Sequence, residues 1–135
     1  MKNYLELQDI KPTLQVEIKL GIIGQPEYTL QVNNILYTGL HNLIEVPVKS
    51  PIEIKVELFN KIYVSDSESA IQVDIIKIEN ELIIPKYDNF VDYINDHTYT
   101  QPTNYIGFNG IWKLSLQPCF FHWLHSATGQ GWIIS

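Results

Sequence analysis

Three aspartates are spaced so that they could bind a metal ion together. Asp88, Asp92 and Asp96 lie four residues apart, so a helix would place their carboxylates on one face, where like charges repel unless a cation is bound. Carboxylate oxygens are ligands that Ca²⁺ prefers, but the sequence lacks the pattern of an EF-hand calcium loop. A calcium site and a solvated acidic face are both open, and the solvated face is the more common outcome.

A cysteine and two histidines near the C-terminus could bind zinc or supply a thiol nucleophile. Cys119, His122 and His125 recur every three residues and are interleaved with Phe and Trp. Structural zinc sites typically use four N or S donors, and residues three apart on a strand point to opposite faces. We therefore favour a buried thiol and hydrogen-bonded imidazoles over a metal site.

Motifs for catalysis are weak elsewhere in the chain. Gly129-Gln130-Gly131 is too short for a phosphate-binding loop and lacks its lysine. Asp66 and Glu68 have no acid or base partner that the sequence can nominate. The sequence therefore predicts a non-enzymatic protein without catalytic residues, and a small hydrolase using Cys119 or His122 ranks last.

Large aromatic side chains are the strongest candidates for binding. All three tryptophans lie after residue 98, in a C-terminal region that also carries tyrosines and phenylalanines. Such rings fill a core, anchor a protein interface or stack on sugar rings, and the sequence leaves all three roles open. The candidate binding or interface residues are Tyr99, Tyr105, Trp112, Phe120, Phe121, Trp123 and Trp132.

Composition limits the possible partners. The nine basic residues are all lysines and the net charge is -6, which disfavours nucleic acid and anionic membranes because arginine is the preferred ligand of phosphate. The single cysteine allows no intrachain disulfide. The start of the chain has no signal-peptide pattern and no apolar run is long enough to span a membrane, so we expect synthesis in a cytoplasm.

Alternating apolar and polar residues predict the elements that must position these side chains. Residues 13–20 and 52–58 each place every second, apolar side chain on one face, as in half-buried strands. Asn33-Asn34 and Asn80-Glu81 are typical of hairpin turns, and Pro47 indicates an edge strand. The pattern predicts an all-β, two-sheet antiparallel β-sandwich of jelly-roll or immunoglobulin-like type, with residues 1–135 as one domain.

Two segments depart from this alternation. Tyr87, Phe90, Val91 and Ile94 follow the spacing of a helical stripe, which predicts one short helical turn near 87–95. The aromatic tail over 117–135 concentrates apolar side chains at a terminus, where chains are ordinarily loose. We expect the tail to dock on its own core or on a neighbouring molecule.

The segment from about residue 14 to 84 resembles the calcium-dependent xylan-binding carbohydrate-binding modules. VEIKLGIIGQPEYTLQVNN, IKVELFNK and IQVDIIKIENELI follow the strand and turn order of that family. The resemblance implies a small β-sandwich, a glycan partner and calcium, with Asp74 as a ligand, although Lys61 stands where the family has Asp. The matching positions are Gly24, Pro26, Asn33, Asn60, Val73, Asp74 and Ile76.

Two functions follow as hypotheses. Sandwiches of this kind are also similar to accessory domains of tailed-phage virions, and the arginine-free composition agrees with a virion component. The first hypothesis is a structural protein of a tailed-phage virion, a capsid decoration, neck or tail component, which binds other virion proteins or its own copies through the aromatic tail. The alternative is a glycan-binding module, with or without the help of calcium. The candidate metal ligands are Asp74, Asp88 and Asp92.

Overall fold

The protein is a β-sandwich of short strands. A computed structural model describes residues 2–3, 13–63, 68–87, 90–101, 103–116 and 133–134. No helix within these ranges is long and apolar enough to cross a membrane. The strands are β1 (Lys2–Asn3), β2 (Thr13–Ile23), β3 (Glu27–Val32), β4 (Ile35–Tyr37), β5 (His41–Pro47), β6 (Ile52–Phe59), β7 (Ala70–Ile78), β8 (Glu81–Ile84), β9 (Val91–Asn95), β10 (Tyr105–Ile106), β11 (Gly110–Leu116) and β12 (Ile133–Ile134).

Two antiparallel sheets form the layers of the sandwich. The first sheet has the order β10-β7-β2-β5, with β8 also paired to β7, and the second has the order β4-β3-β6-β11-β9. β1 and β12 form a separate antiparallel pair. Pro47 ends β5, which is an edge strand of the first sheet as predicted. The predicted two-sheet sandwich is confirmed.

The core lies between the two sheets and consists of every second residue of the long strands. In β6, Ile52, Ile54, Val56 and Leu58 are buried, while Glu57 between them is exposed. β2 and β11 alternate in the same way, as their sequences predict. Both sheets contribute to one continuous apolar cluster, whose largest fully buried side chains include Trp112, Leu14, Ile18, Leu30, Ile71 and Ile76.

Asparagines close two of the hairpins. Asn33 and Asn34 have φ values of 50° and 68°, in the left-handed region that a two-residue hairpin turn requires. Glu79 and Asn80 adopt φ values of 50° and 65° between β7 and β8. The second turn therefore begins one residue before the predicted Asn80-Glu81 connection.

The predicted helical turn near 87–95 is wrong for most of its length. The amide of Phe90 donates to the carbonyl of Tyr87 at 3.1 Å, but Val91–Asn95 is strand β9. Val91 and Tyr93 are buried because they alternate along a strand that pairs with β11. The helical spacing would bury Val91 and Ile94 together, whereas the strand buries Val91 and Tyr93 and exposes Ile94.

Four loops meet at one end of the sandwich. Gly110, which begins β11, lies opposite Leu58 near the end of β6 and opposite Asn95 at the end of β9. Tyr105 of β10 lies opposite Gln72 near the start of β7. We call this end the aromatic end, and its described loop residues are 24–26, 60–63, 68–69, 96–101, 103–104 and 107–109.

Candidate functional site

Four rings pack together at the aromatic end and form what we call the aromatic cluster: Tyr63, His97, Tyr99 and Phe108. The imidazole of His97 is stacked on Phe108, with ring centroids 4.2 Å apart and planes 11° apart. Tyr63 meets His97 edge-on at 4.5 Å, and Tyr99 lies 6.2 Å from Phe108. Offset and edge-on packing are the favoured arrangements of aromatic rings.

Core side chains hold the loops that carry the cluster. The hydroxyl of Tyr93 donates to the carbonyl of Phe108 at 2.6 Å and accepts from the amide of the same residue at 2.9 Å. The buried indole of Trp112 donates to the carbonyl of Thr103 at 2.7 Å. Burial raises the pKa of Tyr93 to about 12, so this hydroxyl keeps its proton at ordinary pH.

The turn after β9 is organised by the amide of Asn95. Its Oδ1 accepts from the backbone amides of His97 at 2.9 Å and Tyr99 at 3.1 Å, and its Nδ2 donates to the carbonyl of Tyr99 at 2.8 Å. Asparagine commonly caps its own following turn in this way. One side chain therefore positions two rings of the cluster.

Asp96 joins the polar side of the cluster. Its carboxylate accepts from the hydroxyl of Tyr63 at 2.8 and 2.9 Å and from Nδ1 of His97 at 2.6 Å. The hydrogen bond from His97 and then that from Tyr63 hold the pKa of Asp96 below its usual value of 3.8. The Tyr63 hydroxyl also accepts the amide of Asn109 at 2.7 Å, and burial raises the pKa of Tyr63. The acid is therefore an anion beside the rings.

Lys61 contributes little positive charge to this surface. Its side chain is 8% exposed, and its ammonium lies 2.5 Å from both a carboxylate oxygen of Glu68 and the carbonyl of Gly107. The hydrogen bond from Lys61 lowers the pKa of Glu68. The same ammonium lies 5.5 Å from the centroid of the Tyr63 ring, within the range of a cation–π contact.

The outer side of the aromatic cluster is accessible to a ligand. Tyr63 is 43% exposed and Tyr99 is 39% exposed, and the side chains of Asp96 and His97 are also open to solvent. The surface thus combines aromatic faces, a fixed carboxylate and an imidazole. Such a combination can stack on an apolar ring face and hydrogen-bond the hydroxyls around its edge.

The predicted binding residues have different outcomes. Trp112 is 0% exposed and lies in the core, so its assignment to a binding surface is wrong, because its position in β11 faces the opposite sheet. Tyr99 belongs to the aromatic cluster, and Tyr105 lies on β10 at the same end and is partly exposed. Four other predicted residues lie outside the described ranges: Phe120, Phe121, Trp123 and Trp132.

The predicted metal ligands are not brought together. Asp74 is exposed on β7 of the first sheet, and Asp92 lies on β9 of the second sheet, in register with Lys113. Asp88 lies outside the described ranges, as do Cys119, His122 and His125. The described residues contain no group of three or more His, Cys, Asp or Glu able to hold a metal. Calcium binding therefore stays an implication of the resemblance.

The sequence interpretation missed the grouping of Tyr63, Asp96 and His97. Tyr63 and Asp96 are 33 residues apart, and only the pairing of β6, β11 and β9 brings them together. The four-residue spacing places Asp96 in a helical row of carboxylates, and this prediction is wrong because Val91–Asn95 is strand β9. The adjacent Asp96-His97 pair, two residues before Tyr99, was the available local signal.

Comparisons with known proteins give a distant likeness. No protein-family model and no curated protein matches the chain. A solved structure described as vCBM60 in complex with galactobiose has a TM-score of 0.43 and 16% identity, covering 77% of this chain and 99% of that chain. A second vCBM60 structure, described among calcium-dependent carbohydrate binding modules, has a TM-score of 0.42 and 18% identity, covering 76% and 88%. The resemblance to calcium-dependent carbohydrate-binding modules thus recurs as a distant structural likeness.

Proposed function

We propose that this protein binds a neutral glycan at the aromatic end. The observation that carries the proposal is the aromatic cluster itself, four partly exposed rings packed beside the carboxylate of Asp96. A sugar ring has an apolar C–H face that packs on an aromatic side chain, and its hydroxyls donate to carboxylates. Aromatic and polar groups converging on one open surface are typical of small-molecule sites.

The rigidity of the cluster favours binding. Tyr63 has hydrogen bonds to Asp96 and Asn109, and Phe108 is held through its backbone by Tyr93. Binding to rings that are already held in place costs less side-chain entropy than binding that must first order the rings. Binding at an open surface is therefore compatible with useful affinity.

The charge of the aromatic end selects against acidic glycans. Glu27, Glu68 and Asp96 are carboxylates on its loops and the adjoining end of β3, whereas the cation of Lys61 is buried against Glu68 and Gly107. A uronate or sulfate would meet like charge here without an available described cation. The proposal concerns the described side chains, and the calcium that the resemblance implies stays a prediction beside it.

Calorimetric titration of the protein with neutral and acidic polysaccharides tests the proposal. We expect xylan or galactan to bind and polygalacturonate to bind more weakly, and parallel titrations with EDTA measure whether calcium contributes. Tyr63→Ala is expected to reduce affinity on the order of tenfold, because a stacking surface is lost. The matched control is Phe90→Ala, which removes a ring of similar exposure, 41%, at the far end of β9.

Three outcomes would overturn the proposal. They are the absence of binding to both neutral polymers, unchanged affinity of a folded Tyr63→Ala variant, and an equal loss in Phe90→Ala. Circular dichroism establishes that each variant is folded. If Tyr63→Ala does not fold, Tyr99→Ala takes its place, since it removes another exposed ring of the aromatic cluster.

The virion role stays a prediction. It depends on the aromatic tail, and residues 117–132 lie outside the described ranges. Deleting residues 120–135 should leave strand content by circular dichroism and abolish assembly if the tail mediates it. Nothing among the described residues favours this role over glycan binding.

A further inference from the structure

We infer, on the basis of the proposed function, that a cleft beside the aromatic cluster is a second sugar subsite, so that the ligand is an oligosaccharide. The cleft has a volume of about 350 Å³, within the rough range of 300–1,000 Å³ for small-molecule sites. The residues of its lining that bear on the inference are Gln25, Glu27, Phe59, Asn60, Ile62 and Ser69.

The cleft and the aromatic cluster are adjacent along one segment of chain. Lys61 and Ile62 line the cleft, and the next residue, Tyr63, is a ring of the cluster. Consecutive Cα atoms are about 3.8 Å apart, so the lining of the cleft continues directly into the aromatic cluster along residues 61–63, which we call the shared wall. A chain of sugars can therefore continue from one site into the other.

The shared wall is held firmly by Asn109. The amide of Lys61 donates to Oδ1 of Asn109 at 2.8 Å, and Nδ2 of Asn109 donates back to the carbonyl of Lys61 at 2.9 Å. Asn109 also donates its backbone amide to Tyr63 at 2.7 Å. One residue thus fixes the spacing between the two sites, which a ligand of fixed repeat length requires.

The lining of the cleft suits a neutral sugar. Nδ2 of Asn60 donates to Oε2 of Glu27 at 2.7 Å, which orients a carboxylate at the cleft. Gln25 and Ser69 add an amide and a hydroxyl, and Ile62, 77% exposed, adds an apolar surface. The ammonium of Lys61 faces Glu68 and Gly107. The cleft therefore offers hydrogen-bonding groups and an apolar contact without a free described cation.

The part of the cleft that Gln25, Pro26 and Ser69 line is also closely constrained. Gly24, in the loop before the cleft residues Gln25 and Pro26, has a φ of +69°, and a Cβ there would lie 2.1 Å from the carbonyl oxygen of Glu68. The loop at Gly24 and the segment at Glu68 and Ser69 therefore approach each other as closely as glycine allows. The cleft is a feature of tightly packed backbone and is preformed.

Titration with sugars of increasing length tests this inference. The probes are xylose, xylobiose and xylotriose, and galactose, galactobiose and galactotriose. We expect a disaccharide to bind on the order of tenfold more tightly than its monosaccharide, because a second set of contacts is made. In Ile62→Ala and Glu27→Gln this gain should fall to about twofold or less, and in Ile62→Ala the monosaccharide affinity should be unchanged. Leu43→Ala, which truncates a 62% exposed side chain on β5, is the control and should keep the full gain.

The outcomes separate this inference from the proposed function. Equal affinity for all lengths of a series that binds would overturn the second subsite and leave glycan binding intact. A full gain with length in both cleft variants would also overturn it, because the contacts would then lie elsewhere. No binding to any sugar or to the neutral polysaccharides would overturn both.

Discussion

The two ends of the sandwich differ in what lines them. The end opposite the aromatic end, which we call the turn end, contains a cleft of about 440 Å³, larger than the 350 Å³ cleft at the aromatic end. Its lining residues are Asn33, Asn34, Ser50, Pro51, Ile52, Glu53, Ser115 and Leu116, which include no aromatic ring. Within the part of the chain that the structure describes, the larger cavity therefore lacks the stacking surface that the smaller one has beside it. Side-chain chemistry, more than volume, identifies the candidate site.

The two ends are also held differently. At the turn end, Asn33 and Asn34 form a tight hairpin turn through their left-handed backbone conformation, and Oδ1 of Asn33 accepts from the amide of Glu53 at 2.8 Å. At the aromatic end, side chains from the core and from neighbouring strands hold the loops, chiefly Trp112, Tyr93 and Asn109. Substitutions at the aromatic end should therefore change both stability and binding, whereas those at the turn end should change stability alone.

Replacement of Trp112 is expected to give the largest effect. Trp112→Ala should lower the free energy of unfolding by about 3–5 kcal/mol, because a fully buried indole is lost and a cavity remains. It should also weaken glycan binding, since the carbonyl of Thr103 loses its partner and the β9–β10 loop loses an anchor. Urea unfolding and calorimetric titration measure the two effects.

A milder change at the same position separates packing from anchoring. Trp112→Phe keeps most of the apolar volume and removes the donor to Thr103, at a cost of about 1–3 kcal/mol for the unpaired carbonyl. Unfolding free energies within about 0.5 kcal/mol of wild type for both variants would mean that this end does not depend on the core.

Tyr93→Phe should have the next largest effect. Its hydroxyl both donates to and accepts from the backbone of Phe108, so its removal leaves two buried or partly buried groups without this partner. We expect a loss of about 1–3 kcal/mol in the free energy of unfolding and weaker glycan binding. Tyr37→Phe in β4 is the matched control and should change neither by more than about 0.5 kcal/mol. Unaltered binding in a folded Tyr93→Phe variant would contradict the anchoring role.

The sequence predicted the sandwich more fully than the site because the two depend on different ranges of contact. Alternation along β2, β6 and β11 is local, and strand geometry converts it directly into one buried face. The aromatic cluster combines the loop after β6, the turn after β9 and the loop before β11. No spacing rule joins Tyr63 to Asp96, since their proximity follows from strand order. The helical prediction for 87–95 is wrong because Val91 fits both the helical and the strand repeat, so spacing alone does not separate the two.

A change at the turn end should alter stability without altering binding. Asn34 has a φ of 68°, so Asn34→Gly should change the free energy of unfolding by no more than about 0.5 kcal/mol. Asn34→Val should cost about 1–2 kcal/mol, because a β-branched residue is disfavoured in the left-handed region. Both variants should bind glycan like wild type. Reduced binding in Asn34→Val would place a ligand contact at the turn end and remove the functional difference between the ends.

The smallest expected effect is a pH dependence that originates at the aromatic end. Hydrogen bonds from His97 and Tyr63 hold the pKa of Asp96 below 3.8 in the folded protein. A folded-state pKa below the unfolded one means that the acid stabilises the fold above the unfolded pKa, and that this contribution is lost as pH falls through the folded pKa. Asp96→Asn should therefore flatten the decrease in melting temperature between about pH 5 and about pH 3.

The control for Asp96 is Asp92→Asn, which removes a carboxylate from β9 on the outer face of the second sheet. Because Asp92 lies outside the aromatic cluster, this variant should keep the wild-type acid profile. If Asp96→Asn also keeps it, the charge of Asp96 contributes nothing to the acid dependence of stability, and the rings are held by packing and by the hydrogen bonds of Tyr93, Asn95 and Asn109. Stability would then be uncoupled from the charge that Asp96 presents to a ligand, and acid would weaken binding without loosening the fold.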